Sequence, residues 1–304
     1  MKGYKGFKKN LTGRDKQYAE NTIFEEESAE IGESGMHFCA NPFDVWAFYP
    51  PCGKNGELNA FAEVEALEKV QTNDNMKFCT SKLKVGKKLT FINFIRAGIK
   101  TLLNNTKNHI KVNTSRNWFT INVDNHSIAT NRGIESIAMN TGEYSAAVNS
   151  SYYSIAANTG WQSVAQNTCD YSVATNTGCR SVAVSEGWRS TATNSGEYSI
   201  AMNVSDNSIA MNTGNNSVAT NAGNSSIATN IGTHSIAMVE GKNSVAFTTG
   251  YDSKVKGTRG SWLICAECNV DNDILCIKMT QVDGEKIREN VLYTVKNGEF
   301  VEVE

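Results

Sequence analysis

The chain has 304 residues, and its 29 Lys and Arg nearly balance its 31 Asp and Glu, for a formal net charge of −2. That balance argues against a nucleic-acid binder working by broad electrostatic attraction. No run of about 18 apolar residues offers a membrane-spanning helix.

Residues 1–113 read as a non-repetitive α+β head. Lys2-Gly-Tyr-Lys-Gly-Phe7 is a short strand interrupted by glycines, and Asn10-Leu-Thr-Gly13 is a turn. Met36 to Cys39 reads as a buried strand. Asn41 then caps a short aromatic helix with Pro42 at its first position, stopped by Pro50-Pro51. Alternation predicts strands over 61–67 and 78–85, and helical apolar spacing runs from Phe91 to Leu103. The polar segment 104–116 reads as a connector, and Trp118-Phe-Thr-Ile-Asn-Val123 as a first strand capping the repeat region.

From about residue 125 to 257 the sequence repeats every nine residues. Serine stands at every ninth position from Ser127 to Ser253, fifteen in all, in the unit Ser-[Ile/Val]-Ala-x-Asn-x-Gly-x-x. A fixed period held this long marks a solenoid. Ser-Ile-Ala-Met is too short for a helix and carries a β-branched residue, so it reads as a strand; Asn-Thr-Gly-x-x reads as a turn, with Asn and Gly tolerating positive φ. Two nonapeptides per coil, about 18 residues, predict a mainly β protein with a parallel β-solenoid of about seven coils across 114–260. Asn140, Asn158, Asn176, Asn194 and Asn212 are expected to form side-chain ladders. Two packings fit: Ile and Val inside, or Ser and Ala filling a very thin core with Ile and Val outside. The first is favoured because Ile and Val bury the most apolar area, leaving a flat Ser/Ala face for self-association. Residues 261–304 read as a C-terminal β cap, with hairpin turns at Asp283-Gly284 and Asn297-Gly298.

These motifs carry two resemblances. Asn216-Ser-Val-Ala-Thr220 resembles the repeat strand of trimeric autotransporter adhesin heads, which are left-handed β-rolls. The opening strand, Gly35-Met-His-Phe-Cys-Ala-Asn-Pro42, the Phe61-Ala-Glu-Val-Glu-Ala66 segment, the repeats and the Asp283-Gly-Glu-Lys-Ile287 ending resemble a family of uncharacterised phage and prophage proteins. That resemblance implies a phage or prophage origin and a place in the host bacterial cytoplasm, where the eight scattered cysteines would stay reduced.

The two residues before each serine carry the candidate binding site. With two units per coil, alternate units share an edge. Tyr153, Tyr171 and Arg189, with Trp188, fall on one edge; Tyr144, Trp161, Arg180 and Tyr198 fall on the other. Aromatic and Arg residues at an exposed edge are the material of binding hot spots. No metal or cofactor is expected. Cys265-x-x-Cys268 is a single pair, whereas structural zinc needs four ligands, and the repeats lack the carboxylate per unit of calcium β-rolls. No catalytic set stands out. An alternative is an enzyme in the head: Tyr4-Lys-Gly with Gly-x-His-Phe resembles ADP-ribosyltransferase-like domains, which implies Tyr4 or His37 on a nicotinamide nucleotide and Glu63 or Glu65 on the ribose. The preferred expectation is a non-enzymatic binding or scaffolding protein that engages a protein partner, self-associates, and possesses no nucleic-acid or membrane function; opposing a host defence component is one version and a virion-associated structural role another.

Overall fold

Each four-residue run extends and each turn returns the chain beside the run two units earlier. The computed structural model describes residues 1–14, 16–53, 57–106 and 110–303. In it every nonapeptide supplies one strand, and strands 18 residues apart pair in parallel and in register, Ile155 beside Val173 and Asn158 beside Asn176. Alternate strands build two sheets, of eleven and ten strands. In the first, parallel strands run from Ile110–Asn113 to Lys254–Lys256, and in the second from Phe119–Asn122 to Trp262–Cys268. These make about nine coils of ~18 residues, stacked over about 40 Å. The expected seven is too few because Ile110–Asn113 and Phe119–Asn122 lack the repeat's serine, and Trp262–Cys268 follows Ser261 after a spacing of eight instead of nine. Ile110–Asn113, in the segment read as a connector, is already a rung, paired with Ile128–Asn131.

The inside of the roll follows the second packing, the reverse of the favoured one. Ser, Ala and Asn point inward and are buried, the alanines of the two sheets meeting in a continuous seam. Facing strands approach within 8 Å, Cα to Cα, closer than the about 10 Å of ordinary stacked sheets, so only small residues fit. The repeat serines and asparagines are tolerated because they are bonded; Ser185, in an asparagine's place, is the exception, with its Oγ unbonded. Ser163 N donates to Ser181 Oγ (3.1 Å), which lies 3.0 Å from Gly160 O and 3.1 Å from Cys179 O. Asn176 Nδ2 donates to Ser163 O (3.1 Å), and its Oδ1 accepts from Gly178 N (2.9 Å). The asparagines therefore stack in register, but their amides bond across the roll to strand carbonyls instead of to one another. Ile and Val alternate with these residues and point away from the seam. On the ten-stranded sheet many remain open, including Ile155, Ile209 and Ile227. On the other sheet Val164, Val182 and Ile200 are buried.

Antiparallel strands finish both sheets. Ile274–Gln281 pairs with Trp262–Cys268, while Tyr293–Lys296 pairs with Lys254–Lys256 and then with Glu299–Glu302. Asn297-Gly298 turns that last hairpin. Asp283-Gly284 does not turn a hairpin: its flanking strands lie in different sheets, and Asp283 Oδ1 instead accepts from Glu285 N and Ile287 N.

Contacts divide the chain into two compact units, with the boundary along the chain near residue 104. The first is built on a seven-stranded antiparallel sheet, in the order Thr22–Glu25, Lys82–Leu89, Ala60–Ala66, Lys2–Phe7, Met36–Cys39, Lys77–Thr80, Gln71–Thr72. The single strand expected over 78–85 is split at Ser81, and its halves pair with different neighbours. Helix Phe91–Asn105 lays Phe94 on Phe61, ring centroids 3.9 Å apart. The helix expected after Asn41 is a 3-10 helix, Pro42–Ala47, with Asn41 Oδ1 accepting from Phe43 N.

Candidate functional site

The turn of each nonapeptide ends on a left-handed residue, but not on the asparagine or glycine that composition suggested. It is the residue just before serine, with φ from +48° at Asp252 to +58° at Glu135. Its carbonyl-side geometry starts the next strand, and its N–H donates to the following coil, as Tyr144 N does to Trp161 O (2.9 Å). The repeat glycine serves another need. A Cβ on Gly160 would lie 1.9 Å from Gly142 O, so glycine lets successive coils approach. None of the fifteen left-handed residues is β-branched, as sterics require.

Side chains at this position and the one before it project from the two edges and stack coil upon coil. On one edge Tyr153 stacks on Tyr171 (5.1 Å between centroids, 17° between planes), Tyr171 meets Trp188 edge-on (5.3 Å, 88°), and the Arg189 guanidinium lies 4.3 Å from the Trp188 ring. All four are exposed. On the other edge Tyr144 meets Trp161 edge-on (5.1 Å, 85°), and Arg180 lies 5.7 Å from the Trp161 ring. These three are half-buried. The structure thus brings seven of the eight sequence candidates into two ladders. Tyr198 shares the second edge, half-buried, with its N–H donated to Asn215 O (3.0 Å).

His126 was missed. It stacks on Tyr144 (5.0 Å, 6°) and extends the second ladder by one coil. Its place just before Ser127, the first serine of the series, was the available signal.

The residues named for an enzymatic head sit on its sheet. Tyr4 lies directly across from Glu63, and Lys2 from Glu65. Burial, then the Glu63 charge, raises the Tyr4 phenol above its ordinary value. His37 pairs with Cys79 on the neighbouring strands, and its Nε2 accepts from Gly32 N (3.1 Å). In the C-terminal strands Cys265 is buried beside Thr248, and Cys268 Sγ donates to Thr249 O (3.0 Å). All eight cysteines are free thiols. Among the described residues no three His, Cys, Asp or Glu side chains gather as a metal site, and no helix is long and apolar enough to cross a membrane.

A family model described as a domain of unknown function (DUF7666) matches residues 1–97, most of the head. No curated protein and no solved structure matches the chain.

Proposed function

We propose that the protein is a non-catalytic recognition scaffold of phage or prophage origin, acting inside the bacterial cell, that holds a protein partner along the exposed edge formed by Tyr153, Tyr171, Trp188 and Arg189. The observation that supports this reading is the kind of residue found at the strained position. From Tyr144 to Tyr198, Tyr and Arg fill six of the seven left-handed sites; from Asn207 to Asp252 the sites carry Asn, Ser, His or Asp. Left-handed backbone costs an ordinary residue about 1 kcal/mol, and after Gly it is Asn that tolerates it best. Large rings and guanidinia held where Asn would serve the fold better mark a functional segment. A component of host defence is the partner class that fits the proposed origin.

The test replaces Tyr153, Tyr171, Trp188 and Arg189 together by Asn, the residue of the later coils. The fold should be kept, while a partner co-purifying with the tagged parent chain from infected cells should be lost. Equal recovery by the variant would make the ladder a structural device.

A second reading concerns self-association, and it rests on the ten-stranded sheet. From Phe119 and Ile121 to Trp262 and Ile264, the outward positions of its nine parallel strands carry no charged residue. Phe119, Ile155, Ile209, Met211, Ile227 and Trp262 are each more than a third exposed. A face about 13 Å by 40 Å approaches the area of one side of a stable interface. A second copy, with the same flat rungs at the same spacing, is the occupant it fits.

A further inference from the structure

The head contains one feature that recognition along the edge leaves unused. Strand Lys2–Phe7 pairs with Ala60–Ala66 over six consecutive residues, but with Met36–Cys39 on its other side only at Tyr4 and Cys39. Beyond that pair the two strands part, and a cavity of about 510 Å³ opens between them. His37 O, which a paired strand would have bonded, is taken by Lys5 Nζ at 2.7 Å. Lys5 lines the cavity and is only 8% exposed. Among the described residues it has no ion pair and no second hydrogen bond; its other neighbours are ring faces, with Nζ 5.1 Å from the Tyr18 centroid and 5.7 Å from that of Phe7. The nearby Glu26 is already engaged, with Oε1 on Lys16 Nζ (3.0 Å) and Oε2 accepting from Gly35 N (2.9 Å). An ammonium out of water with two donors unbonded, its charge met only by ring faces and by a carboxylate committed elsewhere, remains costly, since buried charges are ordinarily paired.

The rest of the lining suits an anion with a flat body. Arg14, Lys16 and Lys77 add positive charge at the cavity wall, together with Lys5 outnumbering the lining carboxylates Glu26 and Glu33, and the rings of Tyr18, Phe48 and Tyr49 supply flat apolar surface. Burial, then the neighbouring cations Arg14, Lys77 and Lys5, holds the His37 imidazole down to about 4, so it is neutral at physiological pH and offers no competing charge. Burial, with Arg14 next, likewise lowers the Lys5 ammonium to about 8. An oxyanion beside it would reverse that shift.

We propose that this cavity binds a small organic oxyanion carrying a flat ring, its anionic oxygens taking the two free donors of Lys5. Phosphate esters and carboxylic acids share that chemistry. Calorimetric titration of the full chain with phenyl phosphate, benzoate and benzyl alcohol separates the sources: one or both anions bind, the tighter naming the head group, and the uncharged alcohol does not. Lys5→Met weakens that binding at least about tenfold, the share of a charge-assisted hydrogen bond, while its unliganded melting temperature stays level or rises. Lys77→Met, at a half-exposed site, weakens it by a smaller factor. Without relying on any variant, isotopically methylated Lys5 followed by NMR in the otherwise unchanged chain titrates at higher pH once the anion is bound. Failure of both anions to bind, binding unchanged in Lys5→Met, or a Lys5 titration indifferent to ligand overturns the proposal. None of these outcomes bears on the edge ladder.

Discussion

An added methyl on Gly160 would lie 1.9 Å from the Gly142 carbonyl oxygen, whereas one on Gly32, at φ +90°, would meet nothing within 4 Å. The two positions therefore separate close approach from backbone strain. Gly160→Ala forces two coils apart and should cost about 3 kcal/mol by denaturant unfolding, against about 1 kcal/mol for Gly32→Ala. Ser151, Cys169 and Ser205 stand where other units have glycine, and each side chain bonds a carbonyl of the preceding coil: Arg132 O, Ser150 O and Glu186 O. Gly160→Ser should accordingly cost less than Gly160→Ala; the reverse order would show that the hydroxyl does not relieve the clash. The spacing of Ser and Gly was legible in the sequence, but their tasks were not. Weighing apolar area alone put Ile and Val inside, because the bonding of buried Ser and Asn depends on the next coil and leaves no trace in one unit. The left-handed site was missed because Tyr and Arg rarely occupy it.

Among the elements, those that repeat were readable and those that end the repeat were not. Ile110–Asn113 carries the 18-residue register to Ile128–Asn131 without the serine that marks later rungs. The head strand expected over 78–85 hid a break at Ser81 that its alternation does not betray. The parting of Lys2–Phe7 from Met36–Cys39 was also invisible, since pairing is set by partners distant in sequence. That parting has a consequence for pH. A lysine at about 8 in the folded chain and near 10.4 when unfolded binds fewer protons folded than unfolded between those values. Stability then rises with pH across that window. Thermal unfolding of the head signal should show an increment in stability between about pH 8 and 10 that disappears in Lys5→Met. An increment of the same size in the variant would assign it to another group.

At the scale of the molecule, repetition makes one chemistry recur at a fixed interval of one coil, and the chain uses its faces differently. The Ser/Ala/Asn seam is bonded within the roll and offers no surface, so the proposed self-association would use the outward face of the ten-stranded sheet. Light scattering after size exclusion should give a multiple of the 33.2 kDa chain. Ile209→Lys with Ile227→Lys, on adjacent rungs of that face, should return it to the single-chain mass; an oligomer that survives both changes is held elsewhere.

Recognition along the solenoid edge is tested most directly by placing a photo-crosslinking phenylalanine analogue at position 153 or 171, and at 225 or 243 on the same edge, and illuminating cells that make the protein. A recognition edge predicts discrete heterologous adducts from 153 and 171 and none from 225 and 243. Adducts of equal yield from all four positions, or from none, would contradict it.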